Sequence, residues 1–168
     1  FFFFLSSMSK GESLRDTIRN IEAMKIDMVV VRHGASGGPY FLTQWTDAVI
    51  INAGDGKNQH PTQTLLDLLA IRTTQNKLKG LKVGLVGDLK FGRTVHSLIR
   101  LLSLYRGMRF QLVAPRSLEM PPALVEAAAA AGHEVEQVTS LADGLRGADV
   151  LYATRIQKER MSGESMEA

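Results

Sequence analysis

Runs rich in β-branched residues alternate with helix-period segments along nearly the whole chain, and that alternation leaves few folds open. "IDMVVVRH", "DAVIINAG", "KVGLVGD", "RFQLVAP", "EVEQV" and "DVLYATRI" read as strands. Between them lie "GESLRDTIRNIEAMK", "YFLTQW", "PTQTLLDLLAIRTTQN", "GRTVHSLIRLLSLY", "PPALVEAAAAAG" and "SLADGLRGA", which read as helices. The first carries Leu14, Ile18, Ile21 and Met24 on one face. The third is apolar nearly all round, which predicts burial on more than one side. Strand, helix, strand at this spacing predicts parallel sheets with right-handed crossovers. The polar stretch from Lys77 to Gly80 is the expected boundary, giving domains at 1–77 and 78–168.

The chain has 168 residues, enough for one ordinary domain or two small ones. A hydrophobic share of 45% against 22% charged excludes a largely disordered chain. Net charge is only +3 and the basic residues are interleaved with acids, so neither nucleic acid nor a membrane surface is indicated as a partner. The absence of cysteine removes disulfides and thiolate metal sites and fits a cytoplasmic protein. The opening "FFFFL" lacks a basic leader and is too short for a signal core. Four phenylalanines read as a chain that starts inside a buried strand.

In parallel α/β sheets, ligands sit beyond the carboxyl ends of the strands. Arg32 and His33 follow the first strand, the His60 segment follows the second, Lys90 to Thr94 follow the third, and Arg155 to Gln157 follow the last. Acids are few there: Asp55, Asp88 and Glu159. Guanidinium forks in such number suit a multiply anionic small substrate. Each residue alone has a plainer reading. An arginine after a strand is by default a solvated loop charge. His96, within an apolar helix, and His133, at a helix end, read as structural, and His33 reads either way. The glycines of "GLVGDLKFG" miss the dinucleotide fingerprint, and no phosphate loop, Gly-x-Ser-x-Gly elbow or zinc spacing is present. No cofactor and no metal are expected.

One stretch reads oddly as a helix start. In "NQHPTQ", Pro61 suits the first helical position, which puts His60 at the cap and Gln63 in the first turn. Ser, Asp or Asn would cap better. The expectation is that capping strength is given up so that an imidazole and an amide can face a ligand at the positive helix end.

Taken together, "INAGDGKNQHPTQTLLDL", "VGDLKFGRTVHSL" and the "R-x-Q-x-E-R" of "RIQKER" resemble the aspartate carbamoyltransferase catalytic chain, within the aspartate/ornithine carbamoyltransferase family. "SSMSKGESLRDT" and "VVVRHGASG" agree with it in the same order, so the resemblance runs from about Ser6 to Arg160. It implies two parallel-sheet α/β (Rossmann-like) domains, the N-terminal one incomplete. It implies carbamoyl transfer from carbamoyl phosphate to L-aspartate, giving N-carbamoyl-L-aspartate and phosphate in pyrimidine synthesis, without metal or cofactor. Arg32 then contacts the carbamoyl phosphate, His60 bonds the carbonyl oxygen and Gln63 holds the carbamoyl amide. Arg93 and Thr94 bind aspartate near its α-carboxylate, and Arg155 and Gln157 select the β-carboxylate. Ser6 and Lys10 match a loop that reaches a neighbouring subunit's site, where Lys10 touches both substrates and joins Arg32 and His60 as a catalytic group. A homotrimer with shared sites follows from that match, with room for a regulatory or other pyrimidine-pathway chain.

The sequence also departs from the family pattern. The family's Ser-Thr-Arg-Thr-Arg phosphate grip and its His-Pro-Leu-Pro loop are not in these residues, and Gly34 stands where proline is usual. The expectation is a central fragment with little or no turnover by itself. The alternative is a non-catalytic relative of the same fold acting as an assembly partner, which has no chemical need for six retained site residues.

Overall fold

The structure is a computed structural model and describes residues 2–3 and 11–155. Two compact units divide the chain, Phe1–Gln63 and Thr64–Ala168. In the first, β1 (Phe2–Phe3), β2 (Met28–His33) and β3 (Val49–Asp55) form a parallel sheet in the order β1-β2-β3. The burial expected for the opening phenylalanines lies outside the described side chains. Helices α1 (Leu14–Glu22) and α2 (Gly38–Leu42) complete this unit. Ser13 caps α1 by accepting from the Asp16 amide, and the α1 face carrying Ile18 and Ile21 packs on Val29, Val31 and Leu42. Alternation along β2 buries Val29 and Val31 and turns Met28 and Arg32 outward.

The second unit holds most of α3 (Pro61–Gln75), then β4 (Lys82–Val86), α4 (Arg93–Leu102), β5 (Arg109–Val113), α5 (Pro122–Ala130), β6 (Glu134–Val138), α6 (Leu141–Leu145) and β7 (Val150–Ala153). Its parallel sheet runs β6-β5-β4-β7. Val83 and Leu85 of β4 and Phe110 and Leu112 of β5 are enclosed by Val95, Leu98, Ile99 and Leu102 of α4. In β4, Val83, Gly84 and Leu85 are all buried, the continuous apolar run that a central strand covered on both faces needs. The β4–β5–β6–β7 alternation with helices is the architecture the sequence pattern predicts.

The expectation for α3 is corrected. Thr64 and Ile71 are buried, but Leu65, Leu66 and Leu69 are 59%, 61% and 58% exposed. Ile71 and Leu68 join the second unit's core, and a single sheet layer can cover only one side of a helix. An all-round apolar sequence says that a helix can be buried on every side, not that these residues bury it.

No helix among the described residues is long and apolar enough to cross a membrane.

Candidate active site

The first cluster lies where β2 and β3 end. Val31 faces Asn52 and His33 faces Asp55, so β3 takes three steps where β2 takes two. Arg32 sits opposite this bulge. An extra residue bends its strand and re-aims nearby side chains, a device common beside ligand sites. Arg32 Nη1 comes within 3.5 Å of His60 Nε2, although 28 residues separate them in sequence.

His60 stands at the cap of α3, where the position of Pro61 places it. The Gln63 amide donates to His60 Nδ1 at 3.3 Å, so the imidazole itself caps α3, with the Thr62 hydroxyl 3.4 Å from the same nitrogen. A neutral ring has one acceptor nitrogen. With Nδ1 taking the Gln63 amide, Nε2 carries the proton. The 3.5 Å approach of the donor-only Arg32 guanidinium is then a contact between two donors and not a hydrogen bond. Nε2–H and the Arg32 guanidinium are then two donors side by side at a helix N-terminus. The group that belongs between them is an acceptor oxygen, and the helix end favours one with negative charge. Gln63 stands on the first turn behind His60.

Asp55 underlies this pair. It is 2% exposed and accepts four hydrogen bonds. Oδ2 takes the Gly37 amide at 2.8 Å and the Asn58 side chain at 2.9 Å, and Oδ1 takes the Gln59 amide at 2.9 Å and the Asn52 side chain at 3.2 Å. Burial pushes its carboxyl upward, but the donors from Asn58, Gly37, Asn52 and Gln59 outweigh that and hold it below its ordinary value. His33 is a turn residue. Its Nδ1 accepts from the Ala35 amide at 3.0 Å, and its ring fills the space a Cβ at Gly38 would need, 2.7 Å from that nitrogen.

The second cluster lies at the carboxyl edge of the second sheet. Arg93 opens α4 and is 6% exposed, behind Gly92, which gives the helix no side-chain cap. A Cβ on Gly92 would meet the Asp88 carbonyl at 2.5 Å, and the Phe91 amide donates to Asp88 Oδ1 at 2.8 Å. The turn "GDLKFGR" is thus closed by a glycine and a buried aspartate, and it delivers a guanidinium to a helix start. Thr94 lies beside Tyr152, whose phenol is pushed up by burial while the Thr94 hydrogen bond pulls the other way. β7 reaches the same edge: the Thr154 amide donates to the Val86 carbonyl at 2.8 Å. Gly87, at φ 113°, would place a Cβ 2.4 Å from the Thr154 carbonyl, so the two strand ends cross tightly there. The exposed Arg155 follows directly.

Arg32, His60 and Gln63 are thus brought together in the first unit, and Arg93, Thr94 and Arg155 share one sheet edge in the second. Ser6, Lys10 and Gln157 lie outside the described residues. His96 and His133 serve the fold, with Nε2 atoms 2.7 Å from the Leu89 carbonyl and 2.9 Å from that of Ser103. Among the described residues, no group of three or more His, Asp or Glu could hold a metal ion.

Comparison with known proteins decides the family. Residues 3–73 match the aspartate/ornithine carbamoyltransferase carbamoyl-P binding domain, and residues 79–168 match the Asp/Orn binding domain of the same family. The chain belongs to the aspartate/ornithine carbamoyltransferase family. The aspartate carbamoyltransferase catalytic subunit of Clostridium perfringens is 47% identical over 161 residues, covering 95% of this chain and 52% of that protein. That of Methanopyrus kandleri is 47% identical over 92% of this chain and 49% of its own length. Among solved structures, the catalytic subunit of M. jannaschii aspartate transcarbamoylase superposes with a TM-score of 0.85 at 47% identity, covering 93% of this chain and 51% of that one. The Trypanosoma cruzi aspartate transcarbamoylase in complex with N-(phosphonacetyl)-L-aspartic acid gives 0.84 at 40% identity, covering 92% and 50%. The chain spans about half the length of the relatives it matches.

Two members of these clusters were not singled out by the sequence. Asp55 stood out there only as one of few acids at strand ends, although the Asn, Gly and Asp crowding of "NAGDGKN" is the signal for side-chain-closed turns. Tyr152 gave no signal, because a tyrosine within a strand run reads as packing.

Proposed function

We propose that this chain is the central part of an aspartate carbamoyltransferase catalytic chain, which transfers a carbamoyl group from carbamoyl phosphate to L-aspartate in pyrimidine synthesis. The observation that carries the reading is the convergence of Arg32 Nη1 and His60 Nε2 within 3.5 Å at the start of α3. Both are donors, and direct attack of an amine on a carbamoyl carbon builds negative charge on the carbonyl oxygen. Preplaced donors at that oxygen stabilise the transition state more than the ground state. His60 Nε2–H then bonds the carbonyl oxygen, Arg32 bonds that oxygen and the phosphate, and Gln63 orients the carbamoyl amide.

In the same reading, residues 1–77 hold carbamoyl phosphate and residues 78–168 hold aspartate. The buried Arg93, with Thr94, takes the α-carboxylate, and Arg155 with Gln157 takes the β-carboxylate. Ser6 and Lys10 belong to a loop that completes a neighbouring subunit's site, which makes the working unit a homotrimer, in the cytoplasm. Positioning of the two substrates adds to the stabilisation those donors give.

Calorimetry with N-(phosphonacetyl)-L-aspartate tests the assignment. Binding by the 168-residue chain is expected to weaken at least tenfold on His60→Ala and on Arg155→Ala, since each charge-assisted contact to an anion contributes about 1.5–3 kcal/mol. Binding indifferent to both changes refutes it.

A further inference from the structure

The Arg32–His60 pair depends on two loops that meet around one side chain. One follows β2 and contains Gly37, and the other follows β3 and leads to His60. Asp55 stands between them, opposite His33 in the strand register and immediately after the bulge that faces Arg32. Its Oδ2 holds the Gly37 amide of the first loop, while its Oδ1 holds the Gln59 amide, next to His60 in the second. Asn58 and Asn52 close the ring from either side. Asn52 also accepts from the Gly54 amide at 2.8 Å, which fixes the bulge itself, where Gly54 has a φ of 117°. A main-chain bond, from the Gly56 amide to the His33 carbonyl at 2.9 Å, runs parallel to these.

All four groups that face Asp55 are donors. Only an acceptor on both oxygens satisfies them, and a carboxylate is the side chain that offers it. A neutral amide of the same shape would turn an NH2 toward a main-chain amide, either that of Gly37 or that of Gln59, which cannot become an acceptor, and would lose that bond. We propose that Asp55 is a positioning residue for the Arg32–His60 pair: its buried carboxylate locks the bulge opposite Arg32 to the turn that delivers His60. It touches neither substrate in this role. It sets the separation and the ring orientation on which the convergence of the two donors depends. This inference rests on the reading of that pair as an anion-holding site.

The test uses the 15N-labelled 168-residue chain in mildly alkaline buffer and the long-range proton–nitrogen spectrum of its four imidazoles. In the unaltered chain, His60 is expected to show a single tautomer, with an acceptor Nδ1 and a protonated Nε2. Asp55→Asn is expected to replace that signature with tautomer-averaged shifts, leaving His96 and His133 unmoved. Inorganic phosphate is expected to shift the His60 Nε2 resonance of the unaltered chain, with an affinity reduced at least tenfold in the variant. A folded Asp55→Asn chain that keeps the His60 signature overturns the proposal, because a purely structural aspartate would change stability and not the tautomer. Should Asp55→Asn fail to fold, Asn58→Ala removes one of the four donors and leaves the charge in place. A smaller change in the same direction supports the proposal, and an unaltered His60 signature overturns it. An unaltered chain whose His60 ignores phosphate sinks the anion-site reading instead, and the tautomer comparison, made without phosphate, tells the two failures apart.

Discussion

The two units reach similar ends by different means. The first has a small apolar core of Ile18, Ile21, Val29, Val31 and Leu42, and its site end is held by the hydrogen bonds around Asp55. Among the described residues the second encloses β4 and β5 in a larger core, and its site end is held by close packing of backbone at Gly87 and Gly92 together with one bond from the Phe91 amide to the buried Asp88. Among the described residues the first sheet has fewer apolar neighbours than the second, and a buried carboxylate supplies directional bonds there. The second sheet has more apolar contact, and there glycines, which let backbones touch, share the work with a single bond to Asp88.

That contrast can be broken by experiment. Trp45 is the chain's one tryptophan and packs against the first unit's core, so its fluorescence reports that unit, while circular dichroism is weighted to the second. The largest effect is expected for Asp55→Ala. It strands four donors at about 1 kcal/mol or more each, so roughly 4 kcal/mol is lost. A marginal unit would unfold outright, seen as loss of the Trp45 urea transition with the dichroism transition retained. Leu98→Ala, in a fully buried position of α4, is expected to cost about 2–5 kcal/mol and to move the dichroism transition alone. If both variants shift both probes equally, the two units unfold as one and the contrast has no energetic content.

Acid sharpens the same point. Asp55 has a folded pKa below its ordinary value of 3.8, so it contributes stability above that value and loses it as pH falls through the folded pKa. Trp45 is therefore expected to report unfolding on acidification in the region below the usual carboxylate range, and Asp55→Ala should abolish that acid step. His60→Ala removes the imidazole cap of α3 and should cost about 1 kcal/mol in urea. Smallest is Arg146→Ala. Its ion pair with Asp143 at 3.4 Å is well exposed, and a shift within about 0.5 kcal/mol is expected.

The strand–helix alternation was fully legible before any coordinates, because period and β-branching are local properties. Pro61 and Pro122 mark helix starts just as their fixed φ requires. Arg32, His60 and Arg93 were legible as residues following strands, and the topology puts such residues at one edge of a parallel sheet. The exposure of Leu65, Leu66 and Leu69 was not legible, since burial depends on what lies across from a helix. Nor was the dual use of His60, in which Nδ1 serves the helix while Nε2 stays with Arg32, because a ring orientation is set by neighbours 28 residues apart.

The sequence by itself determined the order of elements, the parallel sheets and the residue types at the strand ends, all of which follow from local periodicity and chain direction. Only the tertiary structure decided the β3 bulge opposite Arg32, the enclosure of Asp55 by four donors and the burial of Arg93. Those depend on the register between strands and on loops meeting in space, and neither quantity is written in any one segment of the chain.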